Sequence, residues 1–258
     1  MQKVNISDLG LFVAEYVKAI YASGAYISRV NRCTQRLVRA YGYEISLNYF
    51  YNNIAFTISD PQNRANKETM VFSNDTVHID LRLLSDLSAL SWEIHDNLVP
   101  LSRAFEYLNR LKIPRKRSKF IEFFIIALAF GAFCNVFGGD FNSCLLTAIS
   151  AYFGACLRYF CMLKKIDPRI WHLFLAFFSS SFVALGAQVL STQTLHIALA
   201  TSTLYLIPGI FFLNSIIDIL DYHVLVGISR FVNVFILITC MAIGVYTTLI
   251  IFDIGILQ

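Results

Sequence analysis

Asn214 and Asp218 stand four residues apart inside an apolar run, 195–220, that is long enough to cross a membrane. At that spacing they share one helix face, and Asp221 extends the stripe toward the end of the run. An amide and a carboxylate in a low-dielectric interior can contact a polar solute, carry a proton, or pair with a cation. Arg230, on the next apolar stretch, is the candidate cation. Pro208 and Gly209 interrupt the same run. Proline removes a helical hydrogen bond and its ring crowds the preceding turn, so the helix is expected to bend or open there. Freed carbonyls survive at membrane depth only against protein or a water-filled cavity. A second polar group, Asn135, Gly138, Gly139 and Asp140, gathers at a corner between two apolar stretches. It reads either as a tight turn alone or, with Cys134, as the outer mouth of a pathway. The expected substrate pathway is therefore Pro208, Gly209, Asn214, Asp218, Asn135, Gly138, Gly139 and Asp140. Asp218, Asp221 and Arg230 form the expected coupling group or ion pair.

Other chemistry finds less support. His78, His95, Asp80, Asp86, Glu93 and Asp96 are acid–base candidates, but none sits in a nucleophile-elbow, zincin, Walker or dinucleotide motif. Five of the six cysteines lie in or beside apolar stretches without Cys-x-x-Cys or Cys/His spacing, so neither a metal site nor a disulfide framework is expected. No cofactor is expected. Glu122 and Arg158 fall near span ends, where a long side chain can reach the interface. Asn135, Gln188 and Asn233 suit hydrogen bonds between helices.

The elements that must position these groups fall into two parts. The 258 residues are 57% hydrophobic and only 15% charged, against about 25% charged in a soluble domain. Residues 1–119 hold 16 of the 21 Lys and Arg, and 11 of the 17 Asp and Glu. The expected fold is an α+β cytoplasmic domain over 1–111, a basic juxtamembrane linker over 112–119, and an all-α membrane domain of five transmembrane helices over 120–258. In the first part, helical spacing marks Leu9 to Ile20, Ile27 to Tyr41, Leu83 to Ile94 and Leu101 to Leu111. Alternation over Ile45–Tyr51 and Ile54–Ile58 across Asn52-Asn53 predicts a hairpin. Thr69–Phe72 and Val77–Ile79 suggest another. Arg29, Arg32, Arg36 and Arg39 line one side of the second helix, as a solvated face or a surface for lipid headgroups or an acidic partner.

Five apolar stretches, about 120–138, 143–163, 170–190, 195–217 and 231–252, are long enough to span. Lys112, Arg115, Lys116, Arg117, Lys119, Lys164, Lys165, Arg169 and Arg230 all fall on the side of the polar part, and the alternate links carry no Lys or Arg. The bias predicts a cytoplasmic N-terminus and a C-terminus outside. The start shows no signal-peptide pattern. A net charge of +4, without a long basic run beyond 112–119, speaks against nucleic acid.

Several short motifs carry a resemblance. They are Ser23-Gly24-Ala25 with Ser28-Arg29-Val30, Ala40-Tyr41-Gly42, Ile79-Asp80-Leu81, Gly138-Gly139-Asp140-Phe141, and Leu206-Ile207-Pro208-Gly209 followed by Asn214, Asp218 and Gly227-Ile228-Ser229-Arg230. In this order they resemble the N-terminal half of the threonine/serine exporter (ThrE) family, most closely its stand-alone, YjjP-like form. The chain departs from the family pattern at Tyr26, where an acid is common, and at Phe141, where tryptophan is frequent. The resemblance implies a bacterial inner-membrane exporter subunit and not an enzyme. Its implied partners are the lipid bilayer and a second small membrane subunit in a hetero-oligomer. Its cargo would be a small polar or carboxylate solute: hydroxy amino acids, or dicarboxylates such as succinate. Two other readings remain open at this point. One is a membrane-anchored signalling or scaffolding protein whose cytoplasmic domain carries the activity; the other is an enzyme using the His78/His95 region.

Overall fold

In chain order the computed structural model contains α1 (Ile6–Ala22), α2 (Ile27–Ala40), β1 (Glu44–Tyr49), β2 (Asn53–Ser59), β3 (Lys67–Ser73), α3 (Leu81–Asn97) and α4 (Leu101–Leu111). There follow α5 (Lys119–Val136), α6 (Phe141–Leu163), α7 (Pro168–Val189), α8 (Leu195–Ser202), a 3-10 turn (Leu204–Leu206), α9 (Gly209–Leu220) and α10 (Val224–Ile251). The structure describes residues 4–50, 53–73, 79–113 and 118–254. It divides into two units that are not consecutive in sequence: Met1–Arg115 with Ile210–Phe231, and Lys116–Gly209 with Val232–Gln258. In this division α9 and the start of α10 belong with the N-terminal helices.

In the first unit, α1 buries Leu9, Phe12, Val13, Tyr16, Val17 and Ile20, the residues its helical spacing singled out. Asn5 caps it by accepting from the Ser7 N–H at 3.0 Å, satisfying one of the orphan donors of the first turn. Asp80 does the same for α3, accepting from the N–H groups of Arg82 and Leu83. The sheet is antiparallel in the order β1-β2-β3, with Ile45 opposite Ile58, Leu47 opposite Phe56 and Tyr49 opposite Ile54. Because side chains alternate along a strand, one face of β2 buries Ile54, Phe56 and Ile58 against α1 and α2 while the other stays more open. β3 is the expected 69–72 strand, but its described partner is β2. Asn74 to His78, which include the expected second turn and most of its return strand, lie outside the described residues, as do Tyr51 and Asn52 and the linker residues 114–117. Ile79 is not in a strand.

The arginine stripe is only partly a solvated face. Arg29 donates to Ser88 Oγ at 3.1 and 3.2 Å, and Arg36 donates to Ser91 Oγ at 2.7 Å with its guanidinium 3.5 Å over the Trp92 ring. These contacts pin α2 to α3.

The second unit is a helical layer in which α6 packs against α5, α7 and α8. Hydroxyls line its interior. Ser150 Oγ donates to the Ser179 carbonyl at 3.0 Å, Thr147 meets Thr201 at 3.3 Å, and Ser180 meets Thr248 at 2.6 Å. Short polar side chains let apolar helices approach closely while satisfying their own donors, the usual glue of helices in lipid. Among the described residues four helices are long and apolar enough to cross a membrane: α5, α6, α7 and α10. The expected fifth span is a broken pair. Its first part ends at Leu206, α9 starts at Gly209, and the pair counts as a crossing only if both parts are taken together. The protein is a multi-pass membrane protein.

Candidate functional site

The polar groups of α9 converge on the turn between α1 and α2. Gly24 sits there at φ +94°, a conformation open to glycine, and Ile79 closes over it. Its carbonyl accepts from Asn214 Nδ2 at 2.7 Å. Two residues before the amide of Ile27, Ala25 is buried, and that amide opens α2 and donates to Asp218 Oδ1 at 2.7 Å. A carboxylate at the first N–H of a helix answers both an orphan donor and the positive end of the helix dipole. The other oxygen, Asp218 Oδ2, takes Arg230 Nη1 at 2.5 Å. Asp218 is fully buried, and the Arg230 side chain is 16% exposed.

The local sequence explains how Arg230 reaches its partner. Tyr222 turns the chain at φ +67° between α9 and α10, and the His223 N–H closes the turn on the Asp218 carbonyl at 2.8 Å. Gly227 then lets the two helices touch: a Cβ there would stand 3.0 Å from the Ser215 carbonyl and 2.9 Å from the Ile219 nitrogen. With the axes that close, Arg230 falls beside Asp218. Its guanidinium also lies 4.8 Å over the Tyr21 ring, a cation–π contact.

A second layer surrounds the pair. Tyr21 stacks on Tyr49 at 6.5 Å, Tyr49 OH donates to Asn31 Oδ1 at 2.8 Å, and His223 meets Tyr49 edge-on at 6.1 Å with its Nε2 3.5 Å from Asn31 Nδ2. Sequence reasoning missed Tyr21, Tyr49, Asn31 and His223 as parts of one cluster. The usable signal was weak: Tyr49 shares its strand face with apolar residues, so a hydroxyl turned inward there had to find a partner.

The remaining expected residues are distributed as follows. Asp221 lies past the end of α9, in the turn, and is exposed. Its N–H still bonds the Ile217 carbonyl at 2.9 Å as the last turn closes, but unlike Asp218 it is not buried. Pro208 sits in the break, and the Gly209 N–H bonds the Ile207 carbonyl at 2.8 Å. At the other corner, Gly138 adopts φ +88° and its N–H bonds the Asn135 carbonyl at 2.9 Å, while Gly139 N–H bonds the Cys134 carbonyl at 2.8 Å. These bonds close the C-terminus of α5. The Asn135 side chain is exposed. Asp140 is tied to Thr194, whose Oγ1 donates to Oδ1 at 2.5 Å and accepts from the Asp140 N–H at 2.9 Å. Hydrogen bonds from Ser143 and Thr194 hold the Asp140 carboxyl below the usual carboxylate range. The corner group thus remains apart from the Asp218 cluster in sequence and in unit. His95 pairs with Asp96 at 2.9 Å on an exposed surface, Asp80 is occupied as a helix cap, and His78 lies outside the described residues. Among the described residues no group of His, Cys, Asp and Glu is placed to hold a metal ion. The arrangement built around Asp218 can do one thing well: hold a charged pair in a dry site, in a geometry that depends on the carboxylate remaining ionised.

Comparison with known proteins bears on what that is for. The family described as "Putative threonine/serine exporter" matches residues 11–252. A protein of Escherichia coli strain K12 named "Probable succinate transporter subunit YjjP" is 22% identical over 246 residues, covering 93% of this chain and 90% of that protein. One of the same name from Klebsiella aerogenes is 21% identical over 225 residues, covering 86% of this chain and 85% of that protein. No solved structure matches the chain.

Proposed function

Because this chain belongs to the threonine/serine exporter family, we propose that it is one subunit of a bacterial inner-membrane exporter of small polar metabolites, working with a second, separate membrane subunit. The cargo is a hydroxy amino acid or a short dicarboxylate. The second choice is supported by relatives named as succinate transporter subunits. The basic bias of one set of links supports a cytoplasmic N-terminus and an outer C-terminus.

The observation that carries this reading is the buried Asp218–Arg230 pair, set in the segment that follows the Pro208 break. An intramembrane-type acid is costly to keep unless function retains it. In the proposed cycle Asp218 is the coupling group. While ionised it holds Arg230 and the Ile27 N–H, fastening α9 and the start of α10 to the α1–α2 turn. When it takes a proton both contacts weaken together, and α9 is released from that turn. Arg230 is then free to meet an anion. The Pro208–Gly209 break gives α9 the independence from α8 that such a motion needs.

The test is efflux from cells loaded with serine, threonine or succinate. Asp218→Asn is expected to abolish gradient-driven efflux at normal membrane levels of the protein. Unchanged efflux removes Asp218 from the mechanism. Purification in mild detergent is expected to bring a second small membrane protein with the chain, and flux in liposomes is expected to require both.

A further inference from the structure

We propose that Arg158, on α6, anchors an anion site within the second unit and takes the carboxylate of the solute. The inference rests on the exporter reading above and adds to it the charge of the cargo and the residue that meets it.

A guanidinium is always charged and carries five N–H donors, so it needs several acceptors or a counter-ion when it leaves water. Arg158 is partly buried inside the helix layer and has little of either. Its hydrogen bond runs from Nη1 to the Tyr205 carbonyl at 3.2 Å, and its charged carbon lies 5.6 Å over the Trp171 ring. Among the described residues no carboxylate stands within ion-pair distance of it. Of the acids of its own unit, Glu122 is held by Lys119 at 2.8 Å, Asp140 by Thr194, and Asp167 by the Arg169 N–H at the start of α7, while Asp253 lies past the end of α10. The contrast with Arg230, matched to a carboxylate at 2.5 Å, is plain. No nitrogen of Arg158 is both sealed from the surface and without a partner, so its unused donors face accessible space.

The position adds a reason. Tyr205 belongs to the 3-10 turn just before Pro208. In a continuous helix its carbonyl would accept from Gly209, but that N–H bonds Ile207 instead. Arg158 therefore stands at the carbonyl end of the broken segment, where a positive charge is favoured. The surrounding groups are fixed. Tyr205 OH meets Ser179 Oγ at 2.9 Å, and the ring occupies the space a Cβ on Gly154 would fill, 2.0 Å from the hydroxyl. His172 is buried with Nδ1 2.5 Å from the Pro168 carbonyl, and Trp171 stacks on it at 3.8 Å. One donor suffices to cap a carbonyl, and a lysine would serve. A guanidinium with free N–H edges beside an aromatic wall suits a small carboxylate bound through two parallel bonds.

The same chemistry would accept a lipid phosphate, so the test has two arms. The full chain is placed in nanodiscs of zwitterionic lipid and titrated with succinate, with succinamide as the uncharged match. Succinate is expected to bind and succinamide not to. Arg158→Gln is expected to weaken succinate by about tenfold or more, as for a lost charge-assisted contact. Arg158→Lys is expected to keep part of the affinity. The wild-type comparison of the two compounds stands even if Arg158→Gln fails to fold. Equal binding of succinate and succinamide, no binding of succinate, or full binding by Arg158→Gln each overturns the proposal. In the second arm, nanodiscs containing phosphatidylglycerol are compared without solute. Stabilisation by that lipid through Arg158, with no succinate binding, also overturns it in favour of a headgroup site. Flux measured in parallel separates the readings: transport with Arg158-independent binding removes this site and leaves the exporter, whereas Arg158-dependent binding without transport does the reverse.

Discussion

Replacing Asp218 with asparagine is expected to loosen the first unit by about 2–4 kcal/mol, the cost of removing one partner from a buried, hydrogen-bonded charge pair, lowered here for the partial exposure of Arg230. The isostere cannot restore the site. Its amide has one acceptor oxygen and, in place of the second, an NH2 group that only donates, while the structure presents two donors, the Ile27 N–H at 2.7 Å and the Arg230 guanidinium at 2.5 Å. One of them must face an N–H. Arg230→Met leaves the carboxylate with the helix N–H alone and is expected to cost about 2 kcal/mol. In the double variant neither charge is stranded, so its loss is expected to fall short of the sum of the singles by roughly 2 kcal/mol. The chain supplies a local reporter for this cycle. Cys33, buried on α2, is a cysteine of the first unit, whereas Cys134, Cys144, Cys156, Cys161 and Cys240 belong to the second. With those five replaced by alanine, the rate of thiol labelling at Cys33 reads the opening of this unit. Each 1.4 kcal/mol is about tenfold, so Asp218→Asn is expected to speed labelling by between ~30-fold and several hundredfold. Equal rates in wild type and variant, or strictly additive costs across the cycle, would refute the coupling of these groups.

Three further outcomes follow from the geometry. Gly154→Ala places a methyl against Tyr205 and is expected to cost about 1–3 kcal/mol, with Tyr205→Leu in the same chain recovering much of it, both read as detergent melting temperatures. Leu98 ends α3 in the left-handed region at φ 49° with its side chain exposed, so Leu98→Gly is expected to stabilise by up to about 1 kcal/mol. The Asp140 carboxyl is held low by Ser143 and Thr194. Its contribution is therefore complete above the ordinary carboxylate value of about 4 and fades as the pH falls through its lower folded value. Thr194→Val is expected to reduce melting temperature at pH 6 and to flatten its acid dependence below pH 4.

Much of the fold can be read from local pattern because local pattern is what produces it. The apolar spacing of Leu9 to Ile20, the alternation through Ile54, Phe56 and Ile58, and the interruption at Pro208 each act within a few residues, and each appears in the structure where its chemistry requires. The Asp218–Arg230 pair was legible as one of several options, since an acid and a base on adjacent apolar stretches have few other partners. What it leans on was not. The Ile27 N–H and the Gly24 carbonyl are backbone groups about 190 positions away, and a backbone group has no residue letter to advertise it. Spacing puts Asp221 after Asp218 on one face but cannot show that Tyr222, at φ +67°, turns the chain there and leaves Asp221 exposed. Arg158 reads as an interfacial side chain from its place near a span end, and only the nearby break, with its orphan carbonyl, gives it other work.

The split of the first unit between the two ends of the sequence sets an order on synthesis. A ribosome releases α1 to α4 long before it makes α9, and in the interval the donors at the start of α2 and the acceptor at Gly24 must rely on water. Three helices long enough to cross the bilayer, α5, α6 and α7, are made during that wait. The amino-terminal globule is therefore begun first yet stays open until residues 210–231 are made, and an excised fragment ending near position 111 would lack the piece that closes it.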